Sequence, residues 1–136
     1  MIKVIYGRKG TGKTKMIIDM ANKATAESKG LVVVIEKGNK LRFDINHKTR
    51  LMDSQEYGIN SVEKFMGFVG GIAATNYDVT DIFIDSIYKV TGCDDPCKID
   101  EVLKYIEQLK TGNDINFVMT ISDDASNLSD YVKSFE

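Results

Sequence analysis

The stretch Ile2-Lys3-Val4-Ile5-Tyr6-Gly7-Arg8-Lys9-Gly10-Thr11-Gly12-Lys13-Thr14 decides how the rest of the chain is read. Its apolar, partly β-branched start reads as a buried strand that stops at Gly7. From Lys13 to Glu27 the residues Met16, Ile17, Met20, Ala21 and Ala24 recur at helical spacing. The octet between them therefore joins a strand to a helix, and it fits the spacing G-x-x-x-x-G-K-[ST]. Glycines suit such a connection when its backbone N–H groups must turn inward around phosphate oxygens. The helix N-terminus behind it favours the same anion. Gly7, Arg8, Lys9, Gly10, Thr11, Gly12, Lys13 and Thr14 are accordingly the expected phosphate-binding residues. Lys13 is expected to place its ammonium on the β- and γ-phosphates, and the Thr14 hydroxyl to ligand Mg²⁺. By composition alone the pattern arises in about one chain of this length in two hundred, before the strand-to-helix context is required.

Outward from this stretch, short apolar runs alternate with helical patterns, with no repeat, low-complexity tract or linker. Leu31–Glu36 is predicted as a second buried strand after Gly30, and Leu41–Ile45 and Arg50–Asp53 as shorter ones. Asn60 is the expected cap of a helix carrying Val62, Phe65, Met66, Val69, Ile72 and Ala73 on one stripe as far as Asn76. A strand at Ile82–Asp85, a helix at Ile99–Lys110 stopped by Gly112, a strand at Ile115–Ile121 and a terminal helix around Leu128–Phe135 complete the prediction. Strands separated by helices imply a mostly parallel sheet with helices on both faces, a three-layer α/β fold. Ligands of such sheets bind at the carboxyl ends of the strands. Gly67, Gly70 and Gly71 weaken their helix, which points to close packing there against the sheet or a partner.

A nucleotide–Mg²⁺ site also needs a carboxylate at the end of a neighbouring strand. Ile82-Phe83-Ile84-Asp85 supplies one, with capping of the next helix as the alternative role for Asp85. With these motifs the chain resembles a small stand-alone P-loop NTPase, with Walker A at Gly7–Thr14 and Walker B at Ile82–Asp85. Small bacterial P-loop proteins look similar in size and motif. The Asp85-Ser86 pair is similar to the Walker B of RecA-like ATPases. That resemblance implies a catalytic glutamate at the end of the strand after the Walker A helix, a position that Glu36 matches. Such a carboxylate orients or deprotonates the attacking water. A second resemblance is to the thymidine-kinase-like core, whose base is a Glu directly after the Walker B Asp, where this chain has Ser86. Asn39-Lys40-Leu41-Arg42 carries Arg where the GTP-reading N-K-x-D string has Asp, so the expected nucleotide is ATP. Ser122 stands where related ATPases place a polar γ-phosphate sensor, and Ser122-Asp123-Asp124 reads equally as a cap cluster for the terminal helix.

With 136 residues the chain is expected to form a single domain over residues 1–136. A hydrophobic fraction of 43% and a charged fraction of 28% exclude a disordered, collagen-like or coiled-coil chain. The formal net charge of −2 does not call for nucleic acid or anionic lipid as a partner. The opening apolar run is far too short for a signal peptide or a membrane span, so a cytoplasmic protein is expected. Cys93 and Cys97 share one turn while His47 stands far off in sequence, so a zinc site is not expected and plain thiols or a redox-sensitive pair remain. Between Lys37 and Arg50, five cations stand against Asp44 alone. Three readings apply: Arg42 or Arg50 reaching the γ-phosphate, a dock for an acidic partner, or a solvated hairpin blunting a sheet edge. The expected function is ATP·Mg²⁺ binding with slow hydrolysis, possible as a nucleotide-dependent switch with an unidentified protein partner. A small-molecule or nucleoside kinase and a non-hydrolysing nucleotide-sensing module are the alternatives.

Overall fold

The computed structural model describes residues 1–109 and 114–136. Five parallel strands form one sheet: β1 (Ile2–Gly7), β2 (Leu31–Glu36), β3 (Arg50–Asp53), β4 (Val79–Ile84) and β5 (Asn116–Ser122). Their order across the sheet is β1-β5-β4-β2-β3. The helices are α1 (Lys13–Glu27), α2 (Val62–Thr75), α3 (Ile87–Thr91), α4 (Pro96–Gln108) and α5 (Asp130–Lys133). The continuous run Val32-Val33-Val34-Ile35 is fully buried because β2 is covered on both faces. Ile17 and Ala21 of α1 pack on one face with Ile5, Val34, Phe83 and Val118. On the other, Phe65 and Val69 of α2 and Val102 and Leu103 of α4 pack against Val33, Ile35, Ile82 and Met119. The three-layer α/β architecture with a parallel sheet is therefore the one observed.

Strand β4 starts at Val79 rather than Ile82 and β5 runs one residue later than expected, and three helix boundaries differ for physical reasons. Ser61, not Asn60, caps α2, its hydroxyl accepting the Lys64 N–H at 3.1 Å. Helix α4 starts earlier than expected because Asp95 accepts the Cys97 N–H and Pro96 opens the helix. Its expected end at Lys110 and stop signal at Gly112 lie outside the described residues. The terminal helix is shorter than predicted, since Ser129 caps it at the Val132 N–H.

The predicted strand Leu41–Ile45 is not a strand. Leu41 and Ile45 are buried against α1 whereas Phe43 is 85% exposed, and Ile45 N–H donates to the Leu41 carbonyl at 3.0 Å. The apolar spacing is that of a helical turn, with Phe43 left outside it. Of the three glycines in α2 only Gly70 is crowded: a Cβ there would stand 2.2 Å from the Tyr105 hydroxyl of α4. A Cβ at Gly67 or Gly71 would meet nothing within 4 Å.

Candidate functional site

Because all five strands run the same way, Gly7, Glu36, Asp53, Asp85 and Ser122 stand at or just past one edge of the sheet. Gly7 is in register with Ser122, and Glu36 with Asp53. A cleft of about 410 Å³ opens at this edge, and its lining includes Gly10, Gly12, Lys13, Thr14, Glu36 and Asp85. Residues from β1–α1, β2 and β4 thus meet in one place.

The loop from Gly7 to Gly12 is shaped by its own glycines. Gly10 and Gly12 sit at φ +85° and +83°, and an added Cβ would meet nothing within 4 Å, so backbone conformation is the reason for glycine there. The loop is braced internally: Thr11 Oγ1 donates to the Arg8 carbonyl at 2.8 Å. Lys13 Nζ donates to the same carbonyl at 2.8 Å and to Thr11 Oγ1 at 3.3 Å. Lys13 is buried, and burial holds its ammonium below the usual lysine range, opposed by the Asp85 charge. The Arg8 side chain does not line the cleft. It pairs with Asp124, Nη2 to Oδ2 at 2.6 Å and Nε to the same oxygen at 3.0 Å.

Thr14 Oγ1 lies 3.3 Å from each Asp85 carboxylate oxygen. Thr120 was not singled out from the sequence, yet it aims that carboxylate. From inside β5 its buried hydroxyl donates to Asp85 Oδ1 at 3.0 Å and accepts the Ser86 N–H at 2.6 Å. Ser86 has φ +62°, among the described residues the only positive φ outside glycine, and the Thr120 bond sits directly on it. Such backbone strain concentrates where a side chain must be re-aimed. A threonine inside an apolar strand carries no local signal of this role; only the pairing of β4 with β5 brings it beside Asp85.

Glu36 is buried at 4% exposure, and its Oε2 accepts the Leu41 N–H at 3.0 Å. Burial pushes its pKa up, the Leu41 and Lys40 N–H groups pull it down, and the Asp85 and Asp53 carboxylates push it up again. Ser122 is exposed and lines the cleft. The rest of the cap cluster is spread out: Asp124 caps the short turn Ala125–Asn127, and Asp123 accepts the Tyr88 hydroxyl at 2.7 Å. Lys9, Lys15, Lys37, Lys40 and Lys89 also line the cleft. Lysines are too common on surfaces for Lys15, Lys37 or Lys89 to stand out in sequence. The cleft therefore combines an excess of ammonium groups with a hydroxyl–carboxylate pair and a buried carboxylate, a set suited to a polyanion carrying a hard cation.

Among the described residues no helix is long and apolar enough to cross a membrane. The sequence matches no family model and no curated protein. Among solved structures, the pCW3 conjugation coupling protein TcpA, in its monomer form with ATPγS, is similar to it. The match covers 98% of this chain and 46% of that one, at a TM-score of 0.58 and 13% identity. The chain thus spans less than half the length of TcpA. What they share is the fold, a parallel α/β sheet of the kind expected for a P-loop NTPase.

Proposed function

We propose that the chain binds ATP with Mg²⁺ in this cleft, hydrolyses it slowly and acts in the cytoplasm as a nucleotide-dependent switch. The observation that carries the reading is the convergence of Lys13, Thr14, Asp85 and Glu36, from three separate stretches of sequence, on one cleft. In this reading the loop Gly7–Thr14 cradles the phosphates and Lys13 neutralises them. The adjoining Thr14 hydroxyl and Asp85 carboxylate are oxygen donors of the kind Mg²⁺ takes, the remainder coming from phosphate and water. Bound there, Mg²⁺ offsets negative charge on the phosphate oxygens. Thr120 keeps Asp85 in place. Glu36 holds the attacking water, and a burial-raised pKa makes it a better base near neutral pH than an ordinary glutamate. Ser122, on the lining of the same cleft, takes the part of γ-phosphate sensor in this reading. ATP is preferred over GTP because Arg42 replaces the Asp of N-K-x-D, and the structural neighbour was solved with an ATP analogue.

Mg²⁺·ATP at a hundred times its Kd is expected to stabilise the fold by about 2.7 kcal/mol, raising Tm by roughly 5–10 °C. Differential scanning calorimetry checks this. No shift with any nucleoside triphosphate at millimolar concentration overturns the phosphate reading. One contact favours a second reading, a sensor without turnover: the Glu36 carboxylate is engaged by the Leu41 N–H. Single-turnover hydrolysis separates the two readings, because a sensor shows only background rates.

A further inference from the structure

The two edges of the sheet are finished differently. At β1, the Val4 N–H donates to the Phe135 carbonyl at 2.8 Å, so the C-terminal residues cover that edge. At the other edge stands β3, four residues paired only to β2; among the described residues no strand lies on its outer side. An open edge presents unpaired N–H and C=O groups and is ordinarily blunted by charge. Beside this edge the charge in one hollow is of one sign. A hollow of about 450 Å³ beside β3 is lined by Arg42, His47, Lys48 and Arg50 over Ile45 and Leu51, and no carboxylate lines it. Next to it the 85%-exposed Phe43 ring lies under the Arg42 guanidinium, 4.7 Å from carbon to centroid. Aromatic and arginine side chains together are the composition of binding hot spots.

We propose that the open β3 edge and its basic hollow form a docking site for an acidic, extended segment of a protein partner. The segment pairs its backbone with the outward groups of Arg50–Asp53 as an added strand. Its carboxylates, on alternate residues, face Arg42, Lys48 and Arg50, and an apolar residue rests on Phe43. The platform is already ordered, because Asn22 of α1 holds it: Nδ2 donates to the Asp44 carbonyl and Oδ1 accepts the Asn46 N–H, each at 2.8 Å. A peptide fits better than a nucleic acid. Phosphates satisfy the cations but leave the strand edge unpaired, and a long polyanion meets a chain of net charge −2. The proposal stands apart from the nucleotide reading.

The test measures fluorescence anisotropy of the full chain with a labelled peptide of alternating Glu and Val, its Lys–Val counterpart, and labelled oligo-dT. Expected is binding of the Glu–Val peptide only, weakened about tenfold or more by the triple reversal Arg42→Glu, Lys48→Glu, Arg50→Glu, and several-fold by the truncation Phe43→Ala at an exposed position. Amide exchange is expected to slow within Arg50–Asp53. Equal binding of the Lys–Val peptide, tighter binding of oligo-dT, no binding of the Glu–Val peptide, or slowed amide exchange confined to the nucleotide cleft each overturn the proposal. Should the triple reversal not fold, unchanged affinity in Phe43→Ala together with unprotected Arg50–Asp53 amides does the same.

Discussion

Two connections meet at the carboxyl edge of the sheet, and they are built on opposite plans. The loop between β1 and α1 holds its shape from within: glycines at φ near +85°, Thr11 and Lys13 both bonded to the Arg8 carbonyl. The segment from Lys37 to Thr49 between β2 and β3 makes short turns of its own but is anchored from outside. Glu36 holds its Leu41 N–H, Asp53 Oδ1 accepts the Gly38 N–H at 2.7 Å, and Asn22 of α1 holds Asp44 and Asn46. A connection of the first kind is legible in sequence because the residues that shape it are its own. One of the second kind is not, because its partners arrive from three other elements.

The largest expected effect lies where the two connections meet. Glu36→Gln is expected to leave ATP affinity within a few-fold while turnover falls about 10²–10⁴-fold, as for a lost general base. A single-turnover assay with radiolabelled ATP checks it. Equal rates would leave Glu36 only as the brace of the second connection, and label appearing on an added nucleoside would revive the kinase reading.

Next in size, Lys13→Ala removes a charge-assisted phosphate contact of about 1.5–3 kcal/mol, which weakens nucleotide binding about 10- to 150-fold by calorimetry. Wild-type affinity in this variant would show that the self-braced loop holds no phosphate.

Asn22→Ala probes the externally held segment. Losing two hydrogen bonds is expected to cost about 1–2 kcal/mol in urea unfolding and to speed amide exchange at Asp44 and Asn46. Exchange across Arg8–Thr14 is expected to stay as it was. Equal acceleration in both places would erase the distinction between the two plans.

The smallest effect is at the outside contact that the glycine loop does make. The Arg8 hydrogen bond, with support from Ser126, holds the Asp124 carboxyl down at about 2 against an ordinary 3.8. A lowered carboxylate pKa adds stability that is present above the ordinary value and is lost as pH falls towards the folded one. Arg8→Ala is therefore expected to lower Tm at pH 7 only slightly, since the pair is exposed to solvent, to leave Tm near pH 2 unchanged, and so to flatten the fall between about pH 4 and pH 2 by that same small amount. A clear loss at pH 7 would mean that the loop depends on Asp124 after all.

The turn at Leu41–Ile45 satisfies two periodicities at once. Leu-Arg-Phe-Asp-Ile has apolar residues at alternate positions, and that period is a strand's. Positions 41 and 45 also lie four apart, and a turn that buries both against α1 satisfies them equally. Phe43 alone distinguishes the two, and it points outward because α1 supplies a surface for Leu41 and Ile45 only. The same limit applies to Thr120, whose hydroxyl became meaningful once β5 was laid beside β4.

By itself the sequence determined what local chemistry dictates. This covers the glycine loop and the helix behind it, the apolar strands long enough to be buried on both faces, and the carboxylates that close two of them. Each depends on backbone conformations or periodicities confined to a few consecutive residues. Tertiary structure alone decided which strand lies beside which, and hence that Thr120 aims Asp85, that Glu36 braces the 37–49 segment, and that one sheet edge is covered while the other stays open. The strand order, the Thr120–Asp85 contact and the covered edge rest on residues dozens of positions apart, and the Glu36–Leu41 bond, though local, forms only where the packing on α1 turns the 37–49 segment back over β2.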